Sequence, residues 1–378
     1  MPSRPKQLSR AYINLDHLTH NLELLQEMTG KRPMWPAIKA NAYGHGMEIV
    51  ARHLISLGYD TFCLAHITEA IQLVEAGVSA RLLLLSATLP EHSEAIVAYD
   101  CEAAVCTVEM LEALAQDAGR SGKQVKVHVK VDTGMGRSGI WPDEVPAFLE
   151  HCRRFENLRV RGIMSHFPCA DALDKTQSLE AITAFNSLSE LARSCGIEFR
   201  HLANSAAIFD LPDSLFDAVR PGISIYGLRP SWEIRNERVD ELRPVLEWKS
   251  RITFLKEMPA GTGLSYGHTF HTQRPSLIAT VPVGYGDGLS RRLSNNLDML
   301  VQGKRCPQVG RITMDQCLLD VTELRGQVAM GDEAVIIGMQ QGATITADEL
   351  AEKLGTINYE IVTGISQRVP RLAMHTDQ

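Results

Sequence analysis

No stretch of the 378-residue chain approaches the roughly 20 consecutive apolar residues that a membrane helix needs, so no spanning segment is expected. The first ten residues are polar and basic with no apolar core, which excludes the pattern of a secretory signal and leaves the cytoplasm as the expected location. There is no long basic run, and the formal charge is −7. Nucleic acid and anionic membrane surfaces are therefore excluded as expected partners. The eight cysteines include no CxxC pair and read as reduced thiols. The thirteen histidines include no HExxH, so no metal centre is expected. Internal repeats and low-complexity linkers are also missing.

What the sequence does contain is alternation. After an apolar run at residues 11–15, short β-rich segments fall at 34–38, 61–64, 81–85, 103–106, 125–131, 158–164, 198–202 and 217–220. Amphipathic helical patterns such as 68–75, 108–118 and 176–194 lie between them, and Gly58, Gly77 and Gly196 stand where helices need a C-terminal stop. Eight strand–helix units over about 200 residues match a (β/α)8 barrel of the TIM type. A doubly wound open sheet is the competing layout, which periodicity does not exclude. The character changes near Arg243 and Pro244. Runs at 249–255, 276–283, 297–301, 316–321 and 333–337 alternate between glycines, and helical signal returns only at 346–354. The expectation is a barrel over 1–242 and a mostly-β domain over 243–378. The first strand, near 11–15, is a candidate to join that second domain.

Several segments place reactive groups at strand ends. Lys39 closes an apolar strand and opens the small-residue turn Ala40-Asn41-Ala42-Tyr43-Gly44-His45-Gly46. In a barrel such a residue faces the catalytic end, and partial burial would free its amine as a nucleophile; a strand-end lysine reaching solvent accounts for the segment equally well. Arg220-Pro221-Gly222-Ile223 follows the last strand, and Leu202-Ala203-Asn204-Ser205 the one before it. Backbone N–H groups there suit a phosphate, although plain helix capping explains either segment alone. Lys130 and Arg137 flank a glycine-rich loop, and His166 follows another strand. Tyr266 and Met314 sit in short polar turns of the second domain, where nothing intrinsic marks the tyrosine as catalytic.

Together these segments resemble the alanine racemase family across nearly the whole chain. The matches run, in order, through 37–46, 132–139, 165–167, 203–206, 220–227, 265–267, 313–315 and 358–360. The resemblance implies pyridoxal 5′-phosphate as cofactor, attached covalently to Lys39. It implies that Tyr43, Asn204, Ser205, Gly222, Ile223 and Tyr359 surround the phosphate. Arg220 would meet the pyridine nitrogen with His166 behind it, and Leu85 would pack near the ring. Arg137 and the backbone of Met314 would hold the substrate carboxylate. Lys130 matches a lysine that is carbamylated in many members and orients that arginine. Gly286, Ser290, His268 and Pro168 depart from the usual family residues and touch selectivity rather than chemistry.

The implied reaction moves the α-proton of alanine between faces, with Lys39 as the base on one side and Tyr266 on the other, supplying D-alanine for peptidoglycan. A tyrosine of ordinary pKa is a poor base at neutral pH, so cations must lower it, and Arg220 and His166 are the available candidates. An arginine is too weak an acid to protonate the pyridine nitrogen, which should limit side transamination. The implied assembly is a homodimer with shared active sites. Three alternatives stand beside this one. A serine or broad-specificity racemase would share every motif. A decarboxylase on the same scaffold would lack the Ser265-Tyr266-Gly267 turn. A non-enzymatic cofactor carrier would end near residue 240.

Overall fold

The computed structural model describes residues 7–376, which form two compact units. One is His17–Arg243; the other joins the start of the chain, up to Asp16, to the segment from Pro244 onward.

In the first unit six parallel strands hydrogen-bond in chain order: Thr61–Leu64, Arg81–Leu84, Glu102–Val105, Val125–Lys130, Leu158–Met164 and Phe199–His201. Two short extended segments close the ring through parallel bridges. Met34 pairs with Val219, Ala37 with Cys63, and Ala218 with His201. These bridges leave no sheet edge, which decides for the (β/α)8 barrel over the open sheet. Strands such as Thr61–Leu64 and Glu102–Val105 are buried at every position. A parallel sheet covered on both faces requires that.

The helices between them follow their local chemistry. Val108–Arg120 starts where the Thr107 hydroxyl accepts from the Met110 N–H, and it buries Met110, Leu111, Leu114, Ala115 and Ala118 along one face. Gly58, Gly77 and Gly196 each take positive φ at a helix end, the left-handed stop that glycine makes without strain. The helix expected over 176–194 is broken into Thr176–Asn186 and Ser189–Ser194. The Ser187 and Ser189 hydroxyls bond to the Ala184 carbonyl and the Asn186 side chain, local partners that compete with a continuous helix.

The second unit is mostly β. Its larger sheet runs Lys304–Pro307, Asp298–Val301, Glu333–Gln340, Leu246–Arg251, Arg10–Asn14, Arg371–Met374, with Ala343–Ile345 off the path. The N-terminal strand thus lies between two strands from beyond residue 244. A smaller sheet orders Cys317–Asp320, Ser276–Val281, Phe254–Met258. The run expected at 249–255 is two strands in two sheets, turning at the buried Ile252. Thr346 caps the helix Ala347–Leu354 by accepting from Glu349 N–H. No helix among the described residues is long and apolar enough to cross a membrane.

Candidate active site

Lys39 sits where the first barrel segment ends, just after Ile38 N–H bonds to the Cys63 carbonyl. The chain then makes a left-handed turn: Ala40, Asn41, Ala42 and Tyr43 all have φ between 51° and 55°. Left-handed backbone costs about 1–2 kcal/mol for each residue with a Cβ, so the surroundings must hold it. Glu69 does so from the helix Ile67–Glu75. One carboxylate oxygen accepts from Ala40 N–H at 2.6 Å and the other from Ala65 and His66 N–H. Asn41 Oδ1 accepts from Met47 N–H at 2.8 Å and ties off the far end. The turn seats Tyr43 against Tyr226, ring centroids 5.2 Å apart, and the Tyr226 hydroxyl donates to the Ala37 carbonyl.

Around Lys39 the barrel mouth gathers positive charge. Burial lowers the Lys39 pKa, and Arg137 and Arg220 add to the shift. Lys130 is lowered to about 8 by burial, then by Arg137 and Arg220, while its amine donates to the Leu85 carbonyl at 3.0 Å. Leu85 packs on the cluster of Trp35, Ala37, Cys63, Leu83 and Ala218. Arg137 rides on a loop shaped by Asp132, whose carboxylate accepts from Gly134 and Gly136 N–H. His166 is pushed down to about 3 by burial and by Arg220, Lys39, Arg137 and Lys130. It is therefore neutral at ordinary pH and offers no charge for lowering a tyrosine. Nor does it hold Arg220. That guanidinium bonds through Nη1 to His201 Nδ1 and the His201 carbonyl, and through Nη2 to the Ser165 and Leu202 carbonyls. Burial brings Arg220 to about 10, still charged, and its Nε has no hydrogen-bond partner among the described residues.

Beside this cluster lies a set of donors. Ser205 Oγ accepts from Gly222 N–H at 2.9 Å and from Ser224 N–H at 3.3 Å. Asn204 caps the helix Ser205–Asp210 through Ala207 N–H. Among the described residues the Ile223 N–H has no hydrogen-bond partner, and the buried Ser224 hydroxyl has none either. Gly222 lets Tyr43 approach, since a Cβ there would lie 2.6 Å from the Tyr43 hydroxyl. Burial raises the Tyr43 pKa, so its O–H remains a donor. Clustered cations with unspent N–H and O–H groups fit a ligand carrying a phosphate and a carboxylate.

The second unit carries the other sequence-predicted residues. Tyr266 is 71% exposed in a recess of about 500 Å³ lined also by Ser265, His268, Arg311 and Thr313. Its turn is pinned by Ser265, which adopts φ 58° and donates its hydroxyl to the Arg311 carbonyl. Met314 is exposed, and its carbonyl accepts from Gly286 N–H. Tyr359 lies half-buried in the helix Asn358–Thr363.

The family description "Alanine racemase, N-terminal domain" matches residues 13–230, and "Alanine racemase, C-terminal domain" matches residues 245–373. The chain belongs to the alanine racemase family. Alanine racemase 2 of Caldanaerobacter subterraneus is 42% identical over 371 residues, covering 97% of this chain and 95% of that one. The alanine racemase of Clostridium novyi is 39% identical, covering 96% and 94%. Among solved structures, the alanine racemase of Clostridium difficile matches with a TM-score of 0.94 at 34% identity, covering 99% of this chain and 98% of that one. That of Bacillus anthracis with bound L-Ala-P matches with a TM-score of 0.92 at 33% identity, covering 100% and 97%. The alanine racemases are isomerases, and so is this chain. At Gly286, one of its departures, an added Cβ would meet the far end of the half-exposed Arg368 side chain, which pairs with Asp287 and Asp315.

Proposed function

We propose that the chain interconverts L-alanine and D-alanine with pyridoxal 5′-phosphate, as a cytoplasmic homodimer that supplies D-alanine for peptidoglycan. The observation that carries this reading is the barrel mouth, where Lys39, Lys130, Arg137 and Arg220 gather next to unspent donors at Ile223 and Ser224. Lys39 would hold the cofactor covalently. Tyr43, Asn204, Ser205, Gly222, Ile223 and Tyr359 would surround its phosphate. Arg220 would present Nε to the ring nitrogen, with Leu85 against the ring. When bound, the cofactor supplies an electron sink for the charge left on the α-carbon.

The protein's own groups do the rest. Arg137 matches a carboxylate with its planar fork, and the Met314 N–H is the second donor to it. A lysine amine held below its usual pKa is a more available base than a solvent-exposed one, so Lys39 Nζ takes or returns the α-proton on one face. Tyr266 Oη does so on the other. The test is a chiral assay on alanine with and without added cofactor, run beside Lys39→Ala. The wild type should racemise alanine and absorb visible light after dialysis, and Lys39→Ala should lose both. Retention of a dialysis-stable visible band in Lys39→Ala would move the attachment site elsewhere.

A further inference from the structure

A line of buried polar side chains runs from Arg220 into the barrel. Arg220 Nη1 lies 2.6 Å from His201 Nδ1. A guanidinium has only hydrogens to offer, so His201 Nδ1 must present its lone pair. His201 is wholly buried, and burial with Arg220, His128 and Arg161 nearby keeps it neutral. Its one proton therefore sits on Nε2, which lies 2.8 Å from His128 Nδ1. That nitrogen must accept in turn. His128 is also wholly buried, and burial lowers its pKa despite Glu102, so its proton too sits on Nε2. This faces Glu102 Oε2 at 2.7 Å. The other oxygen of Glu102 takes Arg161. Burial pushes Glu102 up, but His128 and Arg161 outweigh it and keep the carboxylate ionised. Every proton along the line has one permitted place.

Packing holds both rings. Trp35 meets His128 and His201 edge-on, with centroids 5.9 Å and 4.8 Å apart. Gly162, opposite His128 on the adjacent strand, has no Cβ where one would collide with His128 Nδ1. Arg161 is itself fixed over the Phe199 ring and bonded to Glu198.

We propose that Glu102, His128 and His201 are positioning residues that hold Arg220 for the cofactor's ring nitrogen. Two imidazole dipoles, aligned by the carboxylate, turn their lone pairs toward the guanidinium. With both Nη atoms committed, Nε is left as the donor for the ligand. Because each ring's orientation dictates the next, the line works as a unit: reversing one tautomer reverses the other and sets N–H against N–H at Arg220. The proposal rests on the reading of Arg220 given above.

Nitrogen NMR of protein labelled in its histidine rings tests this without any variant. In both the cofactor-free and the loaded protein, His128 and His201 should be neutral Nε2–H tautomers across the neutral pH range. An Nδ1–H tautomer or an imidazolium at either residue overturns the proposal. Glu102→Gln supplies one acceptor oxygen for two donors, so its amide NH2 must face His128 or Arg161. It should give mixed or reversed tautomers, roughly tenfold weaker cofactor binding (about 1.4 kcal/mol) and a shifted visible band, while borohydride still traps the cofactor on Lys39. Arg220→Lys separates the two readings. If it leaves band and affinity unchanged, the assignment of Arg220 fails and the relay's purpose with it. If it changes them while Glu102→Gln stays within about twofold of wild type, the relay alone is overturned; should Glu102→Gln not fold, the wild-type tautomers decide.

Discussion

Two lysines share the barrel mouth, and their surroundings set them different tasks. Lys130 is buried and its pKa is brought to about 8, so at pH 7 roughly a tenth is free amine and the share rises steeply toward pH 8. A free amine adds carbon dioxide and releases a proton, giving a carbamate. At Lys130 that would replace a cation by an anion beside Arg137, relieving the repulsion that adds to burial in lowering the pKa. We expect a carbamate carbon signal in isotope-labelled bicarbonate that grows as pH rises through about 8 and is missing in Lys130→Ala. Because the carbamate would act through Arg137, Lys130→Ala should raise KM for alanine, by about tenfold, more than it lowers kcat. No carbamate signal above pH 8 would rule out the modification. At this scale the sequence marks candidates rather than roles: Lys39 at a strand end reads equally well as a nucleophile or as a lysine reaching solvent. The sequence is silent on His201 as the partner of Arg220. Glu102, His128 and His201 look like ordinary polar positions in short strands, and only the closed ring brings them into line.

The turn after Lys39 illustrates what an element demands of its neighbours. Four successive left-handed residues are far from what Ala-Asn-Ala-Tyr prefers, and they persist because Glu69, itself fixed by Ala65 and His66 N–H, accepts from Ala40 N–H while Asn41 accepts from Met47 N–H. Glu69→Ala strands those donors. Unsatisfied polar groups cost about 1–3 kcal/mol, so a urea melt should lose that much stability, and the cofactor should be held more weakly because Lys39 begins the turn. A variant with unchanged stability and unchanged cofactor affinity would show that the turn holds itself. No pattern of apolar spacing announces such a turn, since its support comes from a helix 29 residues away. The barrel strands, by contrast, were legible. Runs such as 61–64 and 125–131 are rich in β-forming residues and are buried along nearly their whole length, and glycine stops at 58, 77 and 196 separate the units. Short strands such as Lys304–Pro307 and Arg371–Met374 were not, because half-exposed pairing leaves little periodic signal.

For the whole molecule, two consequences follow from where charge and catalytic groups are placed. Three barrel histidines, His128, His166 and His201, have pKa values below the ordinary value, chiefly through burial. The unfolded chain would protonate them near pH 6.5, while the folded chain does not. The unfolded state thus binds more protons as pH falls, and stability drops with it. For His166 the loss extends from about 6.5 down to about 3; Glu102, whose pKa is lowered from the carboxylate range, adds its own loss only at more acid pH. The cofactor-free protein should therefore show a melting midpoint that falls steadily below pH 6.5, and a midpoint flat to about pH 5 would contradict this. The second consequence concerns assembly. Lys39 and Tyr266 belong to different units of the chain, and the family resemblance implies a head-to-tail dimer in which each barrel mouth is completed by the other chain. In a two-fold dimer of that kind there are two equivalent sites. Mixing inactive Lys39→Ala with inactive Tyr266→Phe under subunit exchange would then give mixed dimers with one doubly defective site and one intact site. With random pairing half the dimers are mixed and half of their sites are whole, so up to roughly a quarter of wild-type activity should return. If mass spectrometry shows complete exchange and no activity appears, Lys39 and Tyr266 must serve the reaction from one and the same chain.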